Sequence, residues 1–201
     1  MIITGKTRAC GVIGDPINHS LSPIIQNAAF EAVDLNFVFL AYKVKTSGLE
    51  DAVNGARALN IRGLNVTMPH KTRIIDFLDR IDLSAQIIKS VNTVLNKENL
   101  LFGFNTDGVG ALRALKENGV EPKGRKVLLL GAGGAARAIA YTLAKEADEL
   151  VVLNRTVKSS HNLAKLLEKT VGKKVVAGSL SISDIQRNLQ DSDILINATS
   201  V

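Results

Sequence analysis

The sequence predicts an α/β fold made of two α/β domains, the first with a mostly parallel sheet and the second doubly wound. Three observations lead there. Short apolar runs alternate with amphipathic stretches along the whole chain, as strands and helices do around a largely parallel sheet. From Lys126 onward the alternation becomes a regular βαβαβαβ. A chain of 201 residues has room for one or two domains.

The first half reads as follows. Ala9 to Gly14 is a strand, and Ser22-Pro23 opens a helix with Ser22 as N-cap and Pro23 in the first turn. Ile24, Ala28, Phe30 and Val33 roughly follow the helical period. Phe37 to Tyr42 is a strand, Leu49 to Leu59 a helix and Ile61 to Val66 a strand. Lys71 to Phe77 and Ser84 to Ile88 are short helices. Val91 to Asn96 and Leu101 to Asn105 are strands around the polar turn Lys97-Glu98-Asn99. The second half begins with a helix over Val109 to Asn118. Strands are expected at Lys126 to Leu130, Leu150 to Asn154, Lys174 to Val176 and Asp193 to Ala198. Helices are expected at Ala135 to Lys145, Ser159 to Lys169 and Ile182 to Leu189. The domain boundary is placed near Asp107, giving domains 1–106 and 107–201. The last strand is followed by very few residues, so the second domain reads as incomplete at its C-terminus.

Composition narrows the function classes. Apolar residues are 46% and charged residues 22%, enough apolar material for a packed core. The net charge is +6, but the basic residues are scattered and no aromatic residues interleave with them. That favours small anionic ligands over nucleic acid. A single cysteine, Cys10, excludes an internal disulfide framework and reads as a small core residue. Neither a signal-peptide pattern nor an apolar run of about 20 residues is present, which points to the cytoplasm and away from a membrane. The three histidines lack metal-ligand spacing, so no metal is expected. Thr4-Gly5-Lys6-Thr7 lacks the upstream glycine and preceding strand of a phosphate loop.

The apolar run Lys126 to Leu130 leads into Gly131-Ala132-Gly133-Gly134-Ala135-Ala136, the alanine variant of the G-x-G-x-x-G dinucleotide fingerprint. Gly131 permits the tight turn, Gly133 lets the backbone approach a pyrophosphate, and Ala136 allows close packing of helix on strand. The helix N-terminus offers N–H groups to phosphates. The plain alternative is a tight turn without a ligand. At the end of the next strand, Asn154-Arg155-Thr156 stands where an NAD site would carry Asp or Glu. Arg155 can hold a 2′-phosphate and Lys158 can add a second positive charge, so a Rossmann-like NADP domain is expected over NAD. Otherwise Arg155 is an exposed arginine at a strand end.

Three polar clusters fall at strand ends in the first half. Ser20 and Ser22 flank Leu21 before a helix and can donate to a carboxylate; equally, Ser22 can be only a cap and Ser20 a loop residue. Asn65-Val66-Thr67-Met68-Pro69-His70-Lys71 places a lysine beyond a proline turn. Lys71 can act as an acid or base, or be a solvated residue at a helix start. His70 is the rival proton-transfer group, or a packing histidine; His19 reads as a loop residue and His161 as a helix-surface one. The third cluster is Asn105-Thr106-Asp107, with Val91-Asn92-Thr93 before it. Asp107 is either a helix N-cap or a partner that orients Lys71, and Asn92 and Thr106 can bond hydroxyls. Such a set suits a polyhydroxylated acid, because unpaired buried donors penalise a wrong substrate.

Taken together these segments resemble the shikimate dehydrogenase family. The matching stretches are VIGDPINHSLSP, LNVTMPHK, SVNTV, GFNTDGVG, GAGGAARA, NRT and INATS, in family order from residue 12 to residue 200. The resemblance implies an N-terminal substrate-binding domain and a C-terminal Rossmann-like NADP domain. It implies reversible NADPH-dependent reduction of 3-dehydroshikimate to shikimate, in the route to aromatic amino acids. By that match Ser20 and Ser22 hold the substrate carboxylate and Lys71 and Asp107 are the catalytic pair. Asn65, Thr67, Asn92 and Thr106 surround the ring hydroxyls. Gly131, Ala132, Gly133, Gly134 and Ala135 contact NADP, as do Asn154, Arg155, Thr156 and Lys158, with Thr199 and Ser200 near the nicotinamide. The partner is a small-molecule substrate, with no nucleic acid or membrane, and the enzyme is a monomer or homodimer. An NAD-using quinate/shikimate dehydrogenase and a non-catalytic metabolite or dinucleotide sensor are the alternatives. Lys89-Ser90 departs from the family's usual Gly-Ala, either placing a charge near the site or altering a helix end.

Overall fold

The computed structural model describes residues 2–199. It divides into two compact units, Met1–Asn105 and Thr106–Val201.

The first unit is built on a six-stranded mixed sheet. Its strands are β1 (Arg8–Gly14), β2 (Phe37–Lys43), β3 (Gly63–Val66), β4 (Arg80–Ile81), β5 (Thr93–Lys97) and β6 (Leu100–Phe104), in the order β2-β1-β3-β5-β6-β4. β1 runs parallel to β2 and β3, and β4 runs parallel to β6, while β5 is antiparallel to both its neighbours. Three of the five pairings are thus parallel, in line with a mostly parallel sheet. The β5–β6 hairpin turns through Glu98 and Asn99, both at positive φ, as a tight two-residue hairpin turn requires.

Helix α1 (Ser22–Ala32) lies on β1 and β2, and α2 (Leu49–Ala58) and α3 (Leu83–Ile88) complete the unit. The main core joins Ile13, Leu64 and Val66 of the sheet to Leu49 and Val53 of α2 and Ala85 of α3. The α1 stripe is weaker than its spacing suggested. Ile24 and Val33 are exposed, and only Phe30 reaches the small cluster of Val12, Ile17 and Phe39. A polar contact compensates at the sheet edge. The Asn27 carboxamide accepts from the Phe39 N–H at 2.8 Å and donates to the Phe39 carbonyl at 2.9 Å, satisfying backbone groups that edge strand β2 leaves open.

The second unit contains α4 (Asp107–Glu117), β7 (Lys126–Leu130), α5 (Gly134–Glu146), β8 (Glu149–Asn154), α6 (Val157–Val171), β9 (Val176–Ser179), α7 (Ile182–Leu189) and β10 (Ile194–Asn197). Its sheet is wholly parallel, in the order β10-β7-β8-β9. Val127, Leu128 and Leu129 are all fully buried, because helices cover both faces. Val127 and Leu129 pack towards Leu143 of α5 and Leu163 of α6. Leu128 faces the other way, with Val151, Leu153 and Ile185 of α7. Each such side chain contributes about 1.5–3 kcal/mol relative to an exposed position.

Several expected elements shift. Lys71 to Phe77 is not a helix: residues 71–73 form a turn and only Ile74–Phe77 is a 3₁₀ segment, since the run is too short to propagate an α-helix. The strand expected over Lys174 to Val176 instead runs Val176–Ser179, set by its register with Val151–Asn154. β4 was not legible in the sequence: two residues pairing with Phe102 and Gly103 leave no periodic pattern.

Gly108 is where α4 crosses α5. A Cβ there would lie 2.4 Å from the Ala138 carbonyl oxygen and 2.2 Å from Thr142 Oγ1, whereas a Cβ on Gly110 would meet nothing. Gly108→Ala is therefore expected to destabilise by about 1–3 kcal/mol through overpacking against backbone. Gly110→Ala should stabilise by up to about 1 kcal/mol through helix propensity. Denaturant midpoints of the two variants check the contrast.

Candidate active site

In the first unit the polar clusters leave from one edge of the sheet. Ile13 pairs with Val66 in the parallel register, so β1 and β3 end together. The Thr67 N–H donates to the Ile13 carbonyl and the Asp15 N–H to the Met68 carbonyl, which knits the two following turns. Both turns contain a cis proline peptide, Asp15-Pro16 and Met68-Pro69.

Ser20 and Ser22 sit at the start of α1 and are half-buried. The N-cap position belongs to Leu21, and Ser22 is the first helical residue rather than the cap. The Ser22 N–H donates to Ser20 Oγ at 3.3 Å, a contact from the residue before the N-cap, and α1 has no side-chain cap. The cap assignment for Ser22 is thus corrected by one position; Pro23 does lie in the first turn.

Asn65 lies on β3 opposite Thr93, and the Val66 N–H donates to the Asn92 carbonyl at 2.8 Å. The Thr93 hydroxyl donates to Asn92 Oδ1 at 2.8 Å, which orients that carboxamide. Lys71 follows the Met68-Pro69 turn and is half-buried, not a solvated helix-start residue. Its carbonyl accepts the Val91 N–H at 2.8 Å. Asn65, Thr67, Lys71 and Asn92 are thus brought to one end of the sheet.

His70 is fully buried, and Nε2 lies 2.7 Å from the Val44 carbonyl. A group without solvent access that holds a carbonyl fastens the lysine turn, so the packing reading displaces the rival acid–base reading. His19 and His161 are exposed, the latter with Nδ1 3.0 Å from the Val157 carbonyl on its own helix. Cys10 is half-buried beside Val12 and Phe39, and burial raises its thiol pKa. Among the described residues no three His, Cys, Asp or Glu side chains are grouped to hold a metal.

Lys89 takes the left-handed conformation (φ 52°, ψ 49°) that ends α3, and its N–H bonds the Ala85 and Gln86 carbonyls. The departure from glycine therefore falls on a helix end, where the positive φ favours a residue without Cβ. Asp107 is the first residue of α4, with Thr106 at the N-cap position, so the N-cap alternative for Asp107 is corrected as well. A carboxylate in a first turn is favoured by the helix dipole. Sequence reasoning missed Gly108, the residue that lets this helix start close to α5; its only signal was the pair of glycines flanking Val109.

In the second unit the chain passes from β9 across to β10 on the far side of β7, so the order reverses between β7 and β10. Ligands bind at such a switch point, at the carboxyl ends of the strands. The glycine-rich turn stands there. Gly131 has φ 114°, and a Cβ on it would lie 2.7 Å from the Ala198 carbonyl oxygen. Only glycine tolerates both the angle and the approach. Gly133 precedes α5 in extended conformation; a Cβ on it would meet nothing within 4 Å, and the helix has no side-chain cap. Ala136 is fully buried against Val127 and Leu129. Ala132 is buried, and Gly134 and Ala135 form the first half-buried turn of α5.

Asn154 ends β8 and donates from Nδ2 to the Thr156 carbonyl at 3.1 Å. Arg155, Thr156 and Lys158 are exposed around the start of α6. At the end of β10 the amide oxygen Oδ1 of Asn197 accepts from both the N–H (3.0 Å) and the hydroxyl (2.6 Å) of Thr199, fixing that residue just beyond the strand. Ser200 lies outside the described residues. A glycine-rich helix N-terminus, open space at Gly133 and exposed cations one strand away fit the phosphates of a dinucleotide.

Comparison with known proteins adds the following. Residues 12–94 match the family model for the shikimate dehydrogenase substrate binding domain, and residues 113–201 that for shikimate / quinate 5-dehydrogenase. The chain is 48% identical over 201 residues to a shikimate dehydrogenase (NADP(+)) of Methanopyrus kandleri, covering 99% of this chain and 69% of that protein. A crystal structure of a shikimate dehydrogenase in complex with NADP+ superposes with a TM-score of 0.90 at 42% identity, covering 98% of this chain and 68% of that one. The shikimate 5-dehydrogenase of Listeria monocytogenes, in complex with shikimate and NAD, gives 0.89 at 38% identity, covering 99% and 71%.

Replacing Lys89 with glycine is expected to stabilise the protein by up to about 1 kcal/mol, because the left-handed conformation costs a Cβ-bearing residue about 1–2 kcal/mol and glycine's larger unfolded-state entropy offsets part of that gain. Thermal or denaturant unfolding reads the difference.

Proposed function

The chain belongs to the shikimate dehydrogenase family, and we propose on that premise that it catalyses the reversible NADPH-dependent reduction of 3-dehydroshikimate to shikimate. The observation that carries this reading is the joint one of a half-buried Lys71 bonded into the strand ends of the first unit and a glycine-rich turn at the switch point of the second. The reaction supplies precursors of aromatic amino acids. No helix among the described residues is long and apolar enough to cross a membrane. A cytoplasmic monomer or homodimer, acting on small molecules rather than nucleic acid, completes the reading.

NADPH, when bound, supplies the hydride for the carbonyl carbon. The chain's own residues do the rest. Ser20 and Ser22 donate hydrogen bonds to the substrate carboxylate, and Asn65, Thr67, Asn92 and Thr106 bond the ring oxygens. Lys71 delivers a proton from Nζ to the carbonyl oxygen, so that hydride and proton together make the alcohol. Asp107 is the second member of the proposed catalytic pair. Gly131, Ala132, Gly133, Gly134 and Ala135 hold the pyrophosphate, Asn154, Arg155, Thr156 and Lys158 the 2′-phosphate side, and Thr199 the nicotinamide side. Arg155 favours NADP, since a guanidinium grips a phosphate in a forked contact that a bare ribose hydroxyl does not repay.

A positioned acid contributes about 10²–10⁴-fold to rate. Lys71→Ala is expected to lower kcat by that order while NADP+ still binds, as followed by the near-ultraviolet absorbance of NADPH with shikimate as reductant. Near-normal turnover in this variant removes the assignment, and no turnover in the unaltered protein leaves the sensor reading instead. Arg155→Ala is expected to raise KM for NADP+ at least tenfold and leave KM for NAD+ nearly unchanged. Steady-state assays with each cofactor check this, and a preference for NAD+ in the unaltered protein favours the quinate/shikimate alternative.

A further inference from the structure

Asn105 has no assigned part in the reaction, yet it is tied to the segment that carries Asn92. Its Nδ2 donates to the Ser90 carbonyl at 2.9 Å and lies 3.2 Å from Ser90 Oγ. Ser90 is fully buried, and its own N–H donates to the Ala85 carbonyl. The next residue, Val91, is also fully buried and gives its N–H to the Lys71 carbonyl at 2.8 Å. Asn92 then gives its N–H to the Phe104 carbonyl at 3.0 Å, and its carbonyl accepts the Val66 N–H. The stretch from Ser90 to Asn92 therefore touches the lysine turn on one side and the end of β6 on the other.

We propose that Asn105 and Ser90 form a clasp that positions Lys71 and Asn92 for the substrate, an inference resting on the dehydrogenase reading above. The physical reason is the absence of any regular ladder at this point. β5 begins only at Thr93 and α3 ends at Ile88, so residues 89–92 rest on individual backbone bonds to Ala85, Lys71, Phe104 and Val66 rather than on a continuous ladder. A carboxamide forked across a buried carbonyl and hydroxyl adds a side-chain constraint with two acceptors. Asn105 and Ser90 are positioning residues; neither is asked to touch substrate.

The test is steady-state kinetics on the unaltered protein and on Asn105→Asp and Ser90→Ala. Asn105→Asp keeps size and shape but turns a donor into a carboxylate facing the Ser90 carbonyl. It is expected to lower kcat/KM for shikimate by about 10- to 100-fold, since a small misplacement of reacting groups costs on that order. KM for NADP+ is expected to stay within about twofold. Ser90→Ala removes only the longer contact and is expected to cost about threefold or less in kcat/KM for shikimate. Equal loss for both substrates, or no loss in Asn105→Asp, overturns the clasp while leaving the dehydrogenase reading intact. Inactivity of the unaltered protein overturns that reading and the clasp with it. Should Asn105→Asp fail to fold, hydrogen exchange in the unaltered protein decides: the Val91 amide is expected to exchange slowly, and faster in Ser90→Ala. Unchanged exchange in Ser90→Ala overturns the clasp.

Discussion

Two backbone hydrogen bonds hold the first unit's polar residues together: the Val66 N–H to the Asn92 carbonyl and the Val91 N–H to the Lys71 carbonyl. Each joins segments more than 15 residues apart in the chain. Neither belongs to a regular ladder, so both depend on the strands around them being in register. That register follows from burial. Ile13, Val66 and Val94 face the same core, and a slip by one residue would turn each of them outward. The lysine turn and the Asn92 segment are thus placed by apolar side chains that touch no ligand.

The second unit obeys a related constraint with different means. Its parallel strands are buried on both faces, so their carboxyl ends are fixed by two layers of helix rather than by hydrogen bonds between turns. Close backbone approaches then shape the edge. Gly131 lets the turn after β7 reach the end of β10, and Gly108 lets α4 start against α5. Ala136 and Ala140 keep α5 low on the sheet. Small residues at these contact points bring the backbone close while the N-terminal end of α5 stays open at Gly133.

Ion pairs play a lesser part. Asp79 illustrates their use: its carboxylate accepts the Leu101 N–H and pairs with Arg57, and these bonds lower its pKa. A depressed carboxylate contributes stability above its unfolded pKa and loses it as pH falls through the folded one. The bonds to Leu101 pin the start of the short strand β4 beside β6, and the pair ties it to α2.

Much of this protein was legible in the sequence. The strand–turn–helix around Gly131, the apolar run Val127–Leu130 of β7 and the helix Ile182–Leu189 were fixed by local rules: short-range sterics, a period of burial and the chemistry of glycine turns. The candidate site residues could be picked out because polar groups in an apolar setting at strand ends are conspicuous. Local rules failed where a partner distant in the chain decided the outcome. The two-residue β4 exists only because β6 is there to pair with it, and β9 begins where β8 dictates. Ser22 lost the N-cap position to Leu21, and His70 is a buried fastening on the Val44 carbonyl. The sequence alone determined which chemistry is on offer, because residue type carries that. Only the tertiary structure decided which groups are buried and which segments hold them, because burial and hydrogen-bond partners are set by contacts between residues far apart along the chain.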